Sequence, residues 1–233
     1  MIPLKDDNPT ERTPILTLLL IGACVLVFFW QLSLGPAQRE ALYALGLVPA
    51  VLFDIKELPA DLVVVPPFVT LFTSMFLHGG WMHLIGNMLF LWIFGNNVED
   101  AMGHVRFFLF YLACGLVAAL AQVVPAPEST IPVIGASGAI AGVLGAYLLL
   151  YPHARVVVVI PIFFYLHVTV LPAFLLIGLW FLVQVLNSVA ASGQEGGVAW
   201  LAHVGGFVAG VALVPFLRRR GVRLFQDGRL PGR

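Results

Sequence analysis

Charge is scarce in this sequence: 12 Lys and Arg with 12 Asp and Glu in 233 residues make only 10%, where a soluble domain carries about a quarter. With 60% of the residues hydrophobic, that shortage excludes an ordinary soluble domain. The formal net charge is +0, so no basic surplus suggests nucleic acid as a partner. Cysteine is also scarce. Cys24 and Cys114 both fall inside apolar stretches, where packing is the natural role, and they say nothing of redox compartment. No HExxH occurs, and His78 and His83, five residues apart, have no third ligand at metal spacing, so neither a zinc site nor any other cofactor is expected. An internal repeat and charge at the middle of an apolar stretch are both missing, which argues against a small-solute transporter. The first apolar run follows a charged, Pro-containing lead and lacks a small-residue cleavage pattern. It reads as a retained helix and not as a signal peptide.

What is present is a series of long apolar stretches, at about 14–34, 81–97, 105–124, 136–151, 169–190 and 199–217. Each is close to the ~20 residues needed to cross ~30 Å of hydrocarbon. The pattern predicts an all-α membrane protein, a six-transmembrane-helix bundle over 14–217. A short N-terminal segment (1–13) and a basic C-terminal tail (218–233) flank it. The stretch VVVVIPIFFYLHV (156–168) is too short to cross and is broken by Pro161, so it is expected to lie along the interface as a loop or hairpin. Six crossings put both termini on one side, and that side then holds ten of the twelve Lys and Arg, leaving only Arg39 and Lys56 opposite. Positive residues collect on the cytoplasmic side. Both termini are therefore expected in the cytoplasm of a multi-pass protein of the inner (plasma) membrane, with loops 35–80, 125–135 and 191–198 facing outward. Segment 35–80, with several prolines and short apolar runs, is expected to form a compact lobe in the outer leaflet.

Orientation places the polar residues of the spans by depth. Ser137 opens the fourth span at its outer end, His203 lies about one turn into the sixth, and His83 and Asn87 occupy the first two turns of the second. Four polar side chains from three helices thus share one shallow outer layer. His83 and Asn87, four apart, project from one helix face and can address a single atom. Gly138, Gly142 and Gly145 mark a stripe on the fourth span, and Gly206 and Gly210 mark one on the sixth. Such small-xxx-small patterns let helix backbones approach closely. His203 precedes Gly206 by three and shares its face.

Taken alone, GASG (135–138) reads equally as a helix-packing motif, and His83 with Asn87 as a hydrogen bond bridging two helices. Together, the residues permit acyl transfer. A serine hydroxyl needs a base within hydrogen-bond reach, and a neutral imidazole suits neutral pH. The charge of a tetrahedral intermediate would meet the N–H of Ser137 at a helix start, with His83 and Asn87 as further donors. No Asp or Glu lies within a span to orient the imidazole. The expectation is a Ser–His dyad lacking the third member of a triad.

HGGWMHLIGN (78–87), GASG (135–138) and AHVGGFVAG (202–210), with their separations, resemble the rhomboid intramembrane serine proteases, and the resemblance runs from the first span through the sixth. It implies a six-helix bundle with a membrane-embedded first loop, a short fourth helix carrying the nucleophile below a cavity open to the outer face, and no cofactor. It implies that the partners are transmembrane protein substrates and the lipid bilayer. Residue by residue, Ser137 matches the nucleophile, His203 the base, and His83 and Asn87 the oxyanion-hole side chains. His78 matches a support of the first loop and Glu99 an acidic residue that fixes the cytoplasmic turn. Two departures stand out. A Trp-Arg pair often present in the first loop should fall at Val69 and Thr70, and the position where some members stack an aromatic ring on the histidine is Ala141. An inactive relative acting as a chaperone would share this fold, but such relatives have typically lost the serine or the histidine. His104, His153 and His167 read as solvated or interfacial, and Arg218, Arg219 and Arg220 as a topology anchor.

Overall fold

The computed structural model describes residues 1–190 and 198–226, and most of them are helical. The long helices are α1 (Ile15–Ser33), α2, α3 (His104–Val123), α4 (Ser137–Leu150), α5 (Ala173–Ala190) and α6 (Trp200–Leu217). Helix α2 starts as Trp81–Phe90 and passes through a π-helical turn, Leu91–Gly95, into Asn96–Met102. Four of these, α1, α3, α5 and α6, are long and apolar enough to cross a membrane, which makes this an integral membrane protein. Segment Pro67–Phe76 and α2, bent by 81°, together make a fifth candidate. Helix α4 has 14 residues, about 21 Å at 1.5 Å per residue. It is apolar all round and buried from Gly138 through Tyr147, as a helix enclosed by others must be. By length, then, the described residues carry four full crossings, or five with the bent pair, where six were expected.

Residues 155–172 form a hairpin, β2 (Arg155–Ile162) with β3 (Tyr165–Pro172), and β1 (Ile2–Asp6) joins it in an antiparallel sheet of order β1-β2-β3. The all-α expectation is corrected here, although a hairpin at 156–168 was one of the two expected forms. β-branched side chains from Val156 to Ile160 favour the pleated backbone. Their ladder runs in register from Arg155 opposite Pro172 to Ile162 opposite Tyr165. Because Thr169–Pro172 belongs to β3, α5 begins at Ala173 and not at 169.

Both terminal segments are tied to the bundle. The Tyr147 hydroxyl on α4 donates to Asp6 Oδ2 of β1 at 2.5 Å. At the other end, the N–H groups of Phe225 and Gln226 donate to Leu149 and Leu150 carbonyls, and that of Arg219 to Ala101. The outward loop expected at 191–198 lies, apart from Val198, outside the described residues, as do Asp227, Arg229 and Arg233.

Segment 35–80 forms a lobe of short helical turns, among them Gln38–Leu45, Pro49–Leu52 and Thr70–Thr73. Its hydrogen bonds are mostly internal, with others to Gln31 of α1, to His83 of α2 and to loop 125–135. Leu47 and Val133 exchange both backbone bonds, and Ala50 N–H donates to Ser129 O. At Val69 and Thr70, where a Trp-Arg pair is absent, the Thr70 hydroxyl closes a local turn on Pro67 O, and the neighbouring Thr73 hydroxyl ties to Leu45 O, each at 2.6 Å.

Candidate active site

The turn before α4 is shaped by Gly135, whose φ is +116° and whose N–H donates to Ser74 O of the lobe at 2.9 Å. A methyl on its Cα would lie 2.7 Å from the His83 ring. Glycine is thus required twice, for the left-handed backbone and for the close approach. Ser137 follows as the first residue of α4, where the backbone N–H groups have no intrahelical acceptor and the helix dipole is positive.

His203, on the first turn of α6 and 8% exposed, meets it. Its Nε2 is 2.8 Å from Ser137 Oγ, and its Nδ1 is 2.7 Å from Gln184 Oε1 of α5. Two indole rings flank the imidazole, Trp180 of α5 at 5.9 Å and Trp200 of α6 at 6.1 Å between centroids. Ala141 is fully buried and brings no ring, so the aromatic neighbours come from other helices.

Across from the pair, His83 and Asn87 of α2 converge on Gly135. The Asn87 Nδ2 lies 3.8 Å from the same methyl position that contacts the His83 ring. The Gly79 N–H donates to His83 Nδ1 at 3.3 Å, so Nδ1 is the bare nitrogen and Nε2, beside Gly135, carries the proton. The Asn87 Nδ2 is buried with no partner among the described residues. A cavity of about 1530 Å³ opens above these groups, lined by His83, Asn87, Ser137, His203 and Trp180, with Gln122 of α3 at its wall.

A family model described as "Rhomboid domain" matches residues 66–220. The chain belongs to the rhomboid family. It is similar to "Rhomboid protease GluP" of Bacillus subtilis, 35% identical over 201 residues that cover 86% of this chain and 35% of that protein. It is also similar to "Rhomboid protein 1, mitochondrial" of Saccharomyces cerevisiae, 31% identical over 61% of this chain and 40% of the relative. A third relative, "Rhomboid-like protein 11, chloroplastic" of Arabidopsis thaliana, is 28% identical over 66% of this chain and 54% of its own length. This chain therefore spans only a third to about half of the length of these relatives.

The glycine stripes of this rhomboid lie face to face. A methyl added at Gly206 would sit 2.0 Å from the Gly138 carbonyl oxygen, and one at Gly210 1.9 Å from that of Gly142. Only glycine lets α4 and α6 touch backbone to backbone, and this contact carries Ser137 and His203 to each other. His78 is fully buried; its backbone N–H and C=O are clasped by the Gln31 side-chain amide of α1 at 3.0 and 3.2 Å. Glu99 is buried at the opposite end of the bundle. Its carboxylate accepts the N–H groups of Leu16 and Thr17 and the Thr17 hydroxyl at 2.7–2.9 Å, with His104 Nδ1 at 2.6 Å. It thereby caps α1, which has no side-chain cap of its own.

Sequence reading missed Gln184, because only acidic residues were sought as partners of the imidazole. A signal existed: Gln184 is the first amide in an otherwise apolar helix, followed by Asn187 and Ser188 and six residues from its Ala190 end, hence ~9 Å from that end and near the layer of Ser137 and His203. It also missed Gln122, whose Oε1 accepts the Ala202 N–H at 3.2 Å and so ties α3 to the first turn of α6.

Proposed function

We propose that this rhomboid is an intramembrane serine endopeptidase that hydrolyses peptide bonds in or near transmembrane segments of membrane proteins. The observation that carries the reading is Ser137 Oγ at 2.8 Å from His203 Nε2, at the head of a buried helix and below an open cavity. Rhomboid proteases among the relatives support it.

In this mechanism Ser137 Oγ attacks the scissile carbonyl carbon while its proton passes to His203 Nε2. The carbonyl electron pair moves to oxygen, and that oxyanion is held by the Ser137 N–H, His83 Nε2–H and the Asn87 amide. The free hydrogen-bonding capacity of the Asn87 Nδ2 supports this role. The intermediate collapses by breaking the C–N bond, with the His203 proton going to the leaving nitrogen. Water from the cavity then attacks the acyl ester and gives a proton to His203, and the ester C–O bond breaks as His203 returns that proton to Ser137 Oγ, releasing the carboxylic acid. Both catalytic groups are side chains, and no cofactor takes part.

We read the bundle as six membrane helices with α4 short and central, both termini cytoplasmic, and the 35–80 lobe resting in the outer leaflet. The lobe's exposed Val63, Val64, Phe68 and Phe72 support the last point, since apolar groups at a surface need an apolar neighbour. The deciding experiment is cleavage of a reconstituted transmembrane substrate by wild type, Ser137→Ala and His203→Ala, each variant's fold being checked by thermal melting. Wild-type cleavage with a loss of about 10⁴-fold or more in both variants is expected. Cleavage by folded Ser137→Ala overturns the nucleophile.

A further inference from the structure

The base of the dyad has a partner on a third helix. Gln184 of α5, 5% exposed, donates from Nε2 to the Trp180 carbonyl one turn earlier at 3.1 Å. Its other amide atom, Oε1, therefore faces His203 Nδ1 at 2.7 Å. A carbonyl oxygen can only accept, so Nδ1 must carry the imidazole proton. The bare nitrogen is then Nε2, the one beside Ser137 Oγ. The opposite tautomer would put a carbonyl oxygen against a lone pair at Nδ1 and an N–H against the hydroxyl that has to be deprotonated.

The helix that brings Gln184 is itself seated on α6. Phe181 stacks on Phe207 with centroids 4.1 Å apart and planes at 20°, and Trp180 lies over both His203 and Phe207. The amide is thus fixed by its bond to Trp180 and by aromatic packing against the helix that carries the base.

We propose that Gln184 is a positioning residue that selects the Nδ1–H tautomer of His203 and holds its Nε2 on Ser137. This rests on the dyad reading above. The amide stands where an aspartate stands in a Ser–His–Asp triad, with one difference: a neutral amide sets tautomer and angle but adds no charge to stabilise the imidazolium. It suits a site where a buried carboxylate would be costly. Because Gln184 belongs to α5, displacing α5 from α6 would remove the acceptor and release the imidazole.

The test has a structural and a kinetic arm. In ¹⁵N spectra of histidine-labelled protein in micelles, with His203 assigned by its loss in His203→Ala, wild type is expected to show His203 protonated at Nδ1, and Gln184→Met a mixture of tautomers. Gln184→Met is expected to react about 10- to 100-fold more slowly than wild type with a fluorophosphonate probe, and to lower kcat on a transmembrane substrate with KM unchanged. Gln184→Glu, which keeps an acceptor at the same reach but gives up the donation to the Trp180 carbonyl, should label faster than Gln184→Met and more slowly than wild type. Wild-type His203 protonated at Nε2 overturns the proposal without any variant having to fold. So does a folded Gln184→Met with wild-type tautomer and labelling rate. A wild type that fails to label, while its His203 tautomer depends on Gln184, would sink the nucleophile reading and leave the positioning role standing.

Discussion

Asn87 presents a buried amide nitrogen to the cavity with no partner among the described residues, and His83 turns a protonated Nε2 to the same place by accepting the Gly79 N–H on Nδ1. Burying a donor unpaired costs about 1–3 kcal/mol, which is recovered if an oxyanion forms there. His83→Ala and Asn87→Ala are each expected to lower kcat by about 10²- to 10³-fold, with the melting temperature of Asn87→Ala close to wild type. An unchanged kcat on a cleaved substrate would remove either residue from the oxyanion hole. These two residues were legible in the sequence because their spacing of four and their depth are properties of any helix at that place. Gln184 was missed, because its polarity and depth do not by themselves tell it from Asn187 of the same helix; only what lies across from it does.

At the scale of helices, the site depends on the line where α4 and α6 touch. Gly210 is two turns below His203, far from the chemistry, yet a methyl there would collide with the Gly142 carbonyl. Backbone cannot move aside as a flexible side chain does. Gly210→Ala is therefore expected to destabilise the bundle by about 1–3 kcal/mol and to slow probe labelling by widening the Ser137–His203 gap. A variant that labels and melts like wild type would show that the helices adjust without loss. Glu99 works at the other end of the molecule. Its carboxylate meets two N–H groups, one hydroxyl and His104, so Glu99→Gln turns an amide NH₂ toward donors. The expected cost is about 1.5–3 kcal/mol, read as a lower thermal midpoint, with the dyad chemistry unchanged once the protein is folded.

Across the whole molecule, the far end of α4, the helix that starts at Ser137, is held by the N-terminal strand. Tyr147 of α4 reaches Asp6 of β1, and burial pushes the Asp6 carboxyl up to about 6 from 3.8, against the opposing effect of the Tyr147 hydroxyl. A raised folded pKa means that the fold favours the protonated acid, so this contribution is complete below about pH 4 and is lost as pH rises to 6 and beyond. The wild-type melting temperature is expected to fall over that window, and Asp6→Asn to flatten the fall. Equal slopes in both proteins would show that Asp6 is not the group responsible. The lobe acts at the opposite end, where Ser74 and Leu47 hold the chain entering α4. Sheet and lobe thus fix the helix that bears Ser137 from its two ends.

The long apolar helices, though not the start of α5, the convergence of Ser137 with His203 and of His83 with Asn87, and the glycine stripes were legible in the sequence alone. Each follows from a local period, from the solvent that an apolar run demands, or from the absence of a side chain. Three features depended on tertiary structure: β1 added to the β2–β3 hairpin, Trp180 and Trp200 beside the imidazole in place of a ring at position 141, and Gln184 as acceptor for His203. The physical reason is the same in each. A strand needs an edge, a ring needs a facing group and an amide needs a donor, and these partners lie 19 or more residues away along the chain in every case but Trp200, where no sequence period can join them.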